Sequence, residues 1–113
     1  MFWNKKKKPF KKSLSSKEGA MMVKSAANSL LQDFNKTINP IEIVVLNSLV
    51  SFMDTFILKC FKDDKLVNTL WITARLVEVK IVLGVSSNSE VKRIVRMVEC
   101  LEELINSEKV KNG

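Results

Sequence analysis

The residues of this chain with the clearest capacity for chemistry are seven lysines gathered near its N-terminus. Residues 1–17 hold all seven and contain no acidic residue, whereas residues 18–113 balance twelve Lys and Arg against twelve Asp and Glu. The formal net charge of +7 therefore comes from one end of the chain. Because local charge density sets the attraction to a phosphate surface, this pattern predicts an arm that binds an anionic partner.

Aromatic side chains are interleaved with these lysines. Ammonium groups neutralise phosphates, and aromatic rings can stack on unpaired bases or enter a lipid interface. We therefore predict that the arm binds nucleic acid, with an anionic membrane surface or an acidic protein as alternative partners and a merely solvated tail as the third interpretation. The predicted nucleic-acid-binding residues of the arm are Trp3, Lys5, Lys6, Lys7, Lys8, Phe10, Lys11, Lys12 and Lys17.

A second basic cluster, Lys92, Arg93 and Arg96, lies near the start of a predicted helix. Positive side chains at a helix N-terminus oppose the helix dipole, so their presence there suggests a second contact with an anion. The alternative is a solvated face on which Arg96 pairs with Glu99 or Glu103. We add all three basic residues to the predicted nucleic-acid-binding set.

Catalytic residue types are scarce. The chain has no histidine and no tyrosine, so the commonest general acid or base, the commonest metal ligand and a phenol nucleophile are missing. The two cysteines, Cys60 and Cys100, lack zinc-ligand spacing, and no glycine-rich phosphate loop is present. The sequence therefore predicts a protein that is not an enzyme and that uses no metal, no cofactor and no small-molecule substrate.

Helix-start signals divide the rest of the chain. Ser15 and Glu18 form a capping-box pattern, Asn39-Pro40 with Glu42 is a second start signal, and Ser87 with Glu90 is a third. Apolar residues recur at helical spacing after each signal. We predict a basic tail over residues 1–14 and one domain with helices at about 16–37, 40–61, 64–83 and 88–107.

Near-equal helices joined by short connections predict an all-α, antiparallel up-down four-helix bundle. The β-branched run at 76–83 leaves a strand there as an alternative. The bundle would hold Cys60 and Cys100 about 13 Å apart along its axis, so both are predicted to be free thiols. Free thiols indicate a reducing, cytoplasmic setting, and polar residues at 13–19 leave no room for a signal-peptide apolar region.

The predicted second helix is apolar around most of its circumference, more than one core face needs. One stripe is assigned to the core: Ile41, Val45, Leu49, Phe52 and Phe56. The other is predicted to bind a second copy or a protein partner: Ile43, Leu46, Val50, Met53 and Ile57. A membrane span over residues 41–61 is the alternative, which Asp54 disfavours. In the third helix, Leu66, Leu70, Ala74, Val77 and Ile81 are predicted to lie on one apolar stripe.

Overall fold

A computed structural model describes residues 15–33, 37–63 and 69–112, and these form four α-helices with no β-strand among them. The all-α prediction is therefore confirmed, and the strand alternative for 76–83 is wrong because those residues are helical. The predicted tail over residues 1–14 lies outside the described residues. The helices are α1 Ser16–Leu31, α2 Pro40–Asp63, α3 Thr69–Leu83 and α4 Ser89–Asn112.

The start of α1 is the capping box that the sequence predicts. The Ser15 hydroxyl accepts a hydrogen bond from the Glu18 amide at 3.1 Å, and the Ser15 amide donates to the Glu18 carboxylate at 2.9 Å. The helix ends at Leu31, not at residue 37. Ile38 fits the helical spacing of apolar residues, yet it packs on the core from the connection between α1 and α2. Apolar periodicity thus continues beyond the helix itself.

The start of α2 is also confirmed. Asn39 Oδ1 accepts from the Glu42 amide at 2.8 Å, and the Asn39 amide donates to the Glu42 carboxylate at 3.2 Å. This reciprocal pair satisfies two backbone donors at the helix N-terminus, while Pro40 has no amide proton to satisfy. Glu42 is buried, and its negative charge lies at the positive end of the helix dipole.

The start of α4 differs from the prediction by one residue, because Asn88 and not Ser87 is the cap. Asn88 Oδ1 accepts from the amides of Glu90 and Val91 at 2.8 and 3.1 Å. The Asn88 side-chain amide donates to the Thr37 carbonyl at 2.8 Å. Asn88 therefore caps α4 and also joins the α3–α4 connection to the α1–α2 connection. The helix runs to Asn112, five residues beyond its predicted end.

Gly84 directly follows the last residue of α3. Its amide donates to the Lys80 carbonyl at 2.8 Å, and a β-carbon on residue 84 would collide with that same carbonyl oxygen. A residue with a side chain would have to displace the backbone at this point.

The core takes side chains from all four helices. Among these elements, α1 packs against α2 and α4, and α3 packs against the same two helices, so the four form a closed ring of contacts. The buried apolar residues are Ala20, Val23, Ala27 and Leu30 of α1, Leu46, Leu49, Met53 and Phe56 of α2, Ile72, Leu76, Val79 and Leu83 of α3, and Val91, Ile94, Met97, Val98, Leu101 and Ile105 of α4.

Two ion pairs connect neighbouring helices, and the second shows how α3 and α4 are aligned. Lys24 of α1 contacts Asp54 of α2 at 2.6 Å, and Lys80 of α3 contacts Glu102 of α4 at 2.7 Å. Glu102 lies about 20 Å along α4 from its first residue, whereas Lys80 is one turn from the end of α3. An in-register hairpin would place Lys80 near the start of α4 instead, so α3 and α4 do not pair as an in-register hairpin.

Candidate functional site

The structure describes one lysine of the predicted arm, Lys17, in the first turn of α1, where it is half-buried. The other predicted residues of the arm, from Trp3 to Lys12, lie outside the described residues. The capping box at Ser15 fixes the point where the arm joins the domain.

The second basic cluster occupies the first two turns of α4. Lys92 and Arg96 are exposed and lie one turn apart on the face opposite the core residues Val91, Ile94 and Val98. The structure therefore brings these two basic residues together on an outward surface. Two charges at this spacing can contact neighbouring phosphates of one strand.

Arg93 occupies a different position. Its guanidinium lies 3.9 Å from the Glu90 carboxylate one turn earlier. Arg93 and Glu90 line an open groove of about 510 Å³ between α1 and α4, and Asp33 lines the same groove. Two carboxylates against one guanidinium give this groove a net negative charge, so it disfavours a phosphate. Of the three predicted basic residues of α4, Arg93 is the least suited to bind an anion.

The outward face of α4 changes sign along its length. Lys92 and Arg96 are followed on the same face by Glu99 and Glu103, and all four residues are exposed. The N-terminal half of this face attracts anions, and the C-terminal half repels them. A nucleic acid on α4 would therefore be confined to its first two turns.

Lys17 and the basic face of α4 lie at different ends of α1. Asp33 shares the groove with Glu90 at the start of α4, and Lys17 lies sixteen residues before Asp33, about 24 Å along α1. Sequence reasoning joined these residues into one predicted set, but the structure separates them.

The predicted partner-binding stripe of α2 is corrected by burial. Leu46 and Met53 are 0% exposed and belong to the core, so the prediction that they face a partner is wrong. Val50 and Ile57 are half-buried against that core, and Ile43 is 40% exposed. The core face of α2 takes Leu46 and Met53 from one predicted stripe and Leu49 and Phe56 from the other. A core stripe follows alternating steps of three and four residues, so it crosses between the two predicted rows.

The outward face of α2 carries small polar residues and one acid. Asn47, Ser51, Asp54 and Thr55 are exposed on it, together with the apolar residues Val44 and Leu58. Asn47 donates its side-chain amide to the Ile43 carbonyl at 3.0 Å, and Asp54 pairs with Lys24. This face is mixed rather than continuously apolar.

The outward face of α3 carries the exposed apolar residues Trp71, Ala74, Val77 and Ile81 together with the exposed acid Glu78. The core residues of α3 are Ile72, Leu76, Val79 and Leu83, opposite the predicted stripe. Ala74, Val77 and Ile81 are exposed, and the side chains of predicted Leu66 and Leu70 lie outside the described set. Glu78 lies on the same side of the helix as Ala74 and Ile81, and its side chain is 62% exposed. We define the α3 outer face as Trp71, Ala74, Val77, Glu78 and Ile81.

The N-terminal end of the α3 outer face is held against α2. The Trp71 ring meets the Phe52 ring edge-on, with centroids 6.0 Å apart and planes at 81°. The Arg75 guanidinium lies 5.9 Å from the centre of the same Phe52 ring and donates to Glu78 at 3.1 Å. These contacts fix the position of Trp71 and pair Glu78, within the α3 outer face, with a positive charge.

Metal-ligating and thiol groups were searched for among the residues that the structure describes. No group of three or more His, Cys, Asp or Glu residues is placed there to hold a metal ion. Cys100 is half-buried beside the core and forms no disulfide. The Cys60 side chain lies outside the described set, so the predicted separation of the two thiols remains a prediction.

One helix among the described residues has the length and composition to cross a membrane. It is the Pro40–Leu58 part of α2, nineteen residues with a mean hydropathy of 1.8, of which 28% is buried within the protein. Length and composition of this kind are shared with core helices of soluble proteins.

Comparison with known proteins adds no relative. No protein-family model, no curated protein and no solved structure matches this chain.

Proposed function

We propose that this chain is a small, non-enzymatic helical protein that binds nucleic acid through its lysine-rich N-terminal arm and assembles with a second copy or a protein partner. One observation carries the proposal: residues 1–17 contain seven lysines and no acid, while the rest of the chain is electroneutral. Charge segregated in this way makes the arm, and not the helical body, the part that attracts a polyanion.

Exposed residues of α4 extend the proposed interface. Lys92 and Arg96 form a two-residue basic surface, whereas Arg93 lies beside Glu90. We therefore assign Lys92 and Arg96 a direct contact with phosphates and Arg93 a smaller role. Since Lys17 lies at the other end of α1, the arm and α4 would contact separate phosphates of one ligand.

The proposed architecture is an antiparallel up-down bundle in which α3 and α4 do not pair as an in-register hairpin. The closed ring of helix contacts supports it. The hydrogen bond from Asn88 to Thr37 also supports it, because an up-down bundle brings the first and third connections to the same end. We propose a cytoplasmic, reducing setting, in which the cysteines stay as thiols.

Fluorescence anisotropy with single- and double-stranded DNA and RNA over a salt series tests the nucleic-acid proposal. Each phosphate that the arm neutralises contributes about 0.9 to the slope of log K against log salt on duplex DNA and about 0.7 on a single strand. We expect a steep slope for the full chain and loss of binding when residues 1–14 are removed. Lys92→Gln with Arg96→Gln should lower the slope by about two phosphates.

A matched control tests whether binding depends on the charge of the arm or on the lysine side chains themselves. A variant with Arg at the six arm lysines 5–8, 11 and 12 keeps the charge, and its binding should be retained, because the phosphate term is set by charge. The absence of binding to any of the four nucleic acids at low salt would contradict the proposed function.

A second candidate function is a peripheral membrane or protein-inhibitor module whose arm contacts anionic lipid or an acidic protein. The apolar residues that α2 exposes, Ile41, Val44 and Leu58, favour the lipid form of this candidate. Flotation with anionic vesicles tests it. Binding that requires anionic lipid, is lost without residues 1–14 and exceeds binding to nucleic acid at equal salt would replace the first function with this one.

A further inference from the structure

We infer that the groove between α1 and α4 binds the basic tail of the same chain, residues 1–14, when no nucleic acid is present. The tail is the part of the arm that precedes α1, and it lies outside the described residues. The inference rests on the proposed function where it concerns competition with nucleic acid, because the same lysines would meet carboxylates in the free protein and phosphates in the complex.

The floor of the groove is apolar and rich in sulfur. Met22, Ala26 and Leu30 of α1 line it together with Met97 of α4. Leu30 and Met97 are buried, whereas Met22 and Ala26 are half-buried and pack on the core beside them. The volume of about 510 Å³ lies in the ordinary range of ligand sites. Methionine sulfur makes favourable contacts with aromatic rings, so this floor suits an aromatic side chain.

The end of the groove farthest from the start of α1 is acidic. Asp33 lies just past the end of α1, and Glu90 is in the first turn of α4. One basic residue, Arg93, lies beside them, 3.9 Å from the Glu90 carboxylate. Two carboxylates against one guanidinium leave a net negative charge, which attracts ammonium groups for the same reason that it disfavours a phosphate.

The tail carries the complementary groups in the matching order. Counted back from Ser15, Lys11 and Lys12 fall where the chain has to reverse direction, Phe10 comes next, and the four lysines 5–8 follow. Along α1 in the same direction, the groove presents its apolar floor first and its acidic end second. Residues 5–8 are the only four consecutive lysines in the sequence.

The lengths of the two segments also agree. Met22 lies about 10 Å along α1 from Ser15, and Asp33 lies about 27 Å from it. An extended chain advances about 3.3 Å per residue, so Phe10 can lie about 16 Å from Ser15 and Lys5 about 33 Å. In both cases about 6 Å remains for the reversal. One extended tail can therefore place its ring over the floor and its lysines at the acidic end together.

Covalent attachment favours the chain's own tail over a separate basic peptide as the occupant. A short flexible tether holds a segment near its site at an effective concentration of about a millimolar or more. A few ion pairs at a partly exposed site are individually weak. At such a concentration they are sufficient for an intramolecular contact that a polyanion can displace.

Methionine methyl NMR of the full chain tests the contact directly. Phe10→Leu removes the aromatic ring outside the folded domain and should shift the methyl resonances of Met22 and Met97. Met53, which is fully buried in the core, is the internal control and should not shift. The difference between the two proteins should shrink in high salt, because screening weakens the ion pairs. Unchanged Met22 and Met97 resonances would overturn the inference.

The same spectra at several protein concentrations show whose tail occupies the groove. Shifts that do not depend on concentration support a contact within one chain. Shifts that appear only at high concentration would place the tail of a second copy in the groove and overturn the intramolecular contact.

Removal of the groove acids tests the competition with nucleic acid. Asp33→Asn with Glu90→Gln should raise the affinity for single-stranded oligothymidine at least about twofold, the factor for a tail that is docked half of the time. The control, Glu99→Gln with Glu103→Gln, removes two exposed acids of α4 that do not line the groove and should raise the affinity less. Equal gains would reveal a general charge effect and overturn the competition. Circular dichroism verifies that the helices are kept.

The two proposals fail separately. A chain that binds nucleic acid but shows no shift with Phe10→Leu keeps the proposed function and overturns the groove contact. A chain that shows the shift and binds no nucleic acid keeps the groove contact and overturns the proposed function.

Discussion

The helices α2 and α3 are both apolar around most of their circumference, yet their outward faces differ. On α2 that face mixes Asn47, Ser51 and Thr55 with apolar Val44 and Leu58, whereas on α3 the apolar residues Ala74, Val77 and Ile81 are interrupted by one acid, Glu78. The total hydrophobicity of a helix therefore does not tell how its solvent-facing side is composed. The number and position of polar residues on that side do, because they decide how well the exposed surface is hydrated.

The largest expected effect separates a core residue of α2 from an outward residue of α3. Leu46→Ala should lower the free energy of unfolding by about 2–5 kcal/mol, because Leu46 is fully buried among core side chains. Ile81→Ala should change the stability of the monomer by less than about 0.5 kcal/mol. Urea denaturation at low protein concentration measures both. Equal losses would mean that α3 buries both of its faces within one chain.

The next effect concerns the start of α2. Asn39→Ala removes the oxygen that accepts from the Glu42 amide and should cost about 1 kcal/mol in unfolding free energy. Asn47→Ala is the control, since Asn47 is exposed in the helix interior and bonds to its own helix. It should be close to neutral. A similar cost for both variants would show that the cap does not contribute specifically to the stability of α2.

The direct contact between the two helices is the pair Phe52 and Trp71. A double-mutant cycle with Phe52→Leu and Trp71→Leu should give a coupling energy of about 0.5–1.5 kcal/mol, the range for an edge-to-face aromatic pair. Arg75→Gln, made with and without Phe52→Leu, measures how much the Arg75 guanidinium contributes to stability through its contact with the Phe52 ring. A coupling energy near zero would indicate that contacts other than the Phe52 ring hold Trp71 in place.

The smallest expected effect lies on the outward face of α2. Asp54→Asn breaks an ion pair with Lys24 in which both side chains are more than one third exposed, so the loss should be under about 1 kcal/mol. It should shrink further in high salt, because screening weakens the pair. A loss that persists in high salt would show that Asp54 acts through hydrogen bonding rather than through its charge.

Local signals were readable from the sequence where a short-range interaction decides the structure. The reciprocal bonds of Ser15 with Glu18 and of Asn39 with Glu42 depend on residues that are three apart in the sequence. The cap of α4 was missed because Ser87 and Asn88 are both good caps, and the contact of Asn88 with Thr37, fifty-one residues away, is invisible to local reasoning.

Facial assignments were less predictable because they depend on neighbouring helices. In α2 and α3 apolar residues cover several faces, so periodicity alone fits more than one core stripe. For this reason Leu46 was assigned to a partner, whereas it is fully buried in the core. The basic composition of residues 1–17 can be read directly from the sequence. The distance from Lys17 to Lys92 and Arg96 cannot, because it depends on how α1 and α4 pack against each other.

The side chain of Asn88 has a consequence for how the domain opens. One amide group caps α4 with its oxygen and reaches the first interhelical connection with its nitrogen. Unwinding the first turn of α4 therefore also releases Thr37, so the two connections should protect their amide protons from solvent exchange as a single cooperative unit.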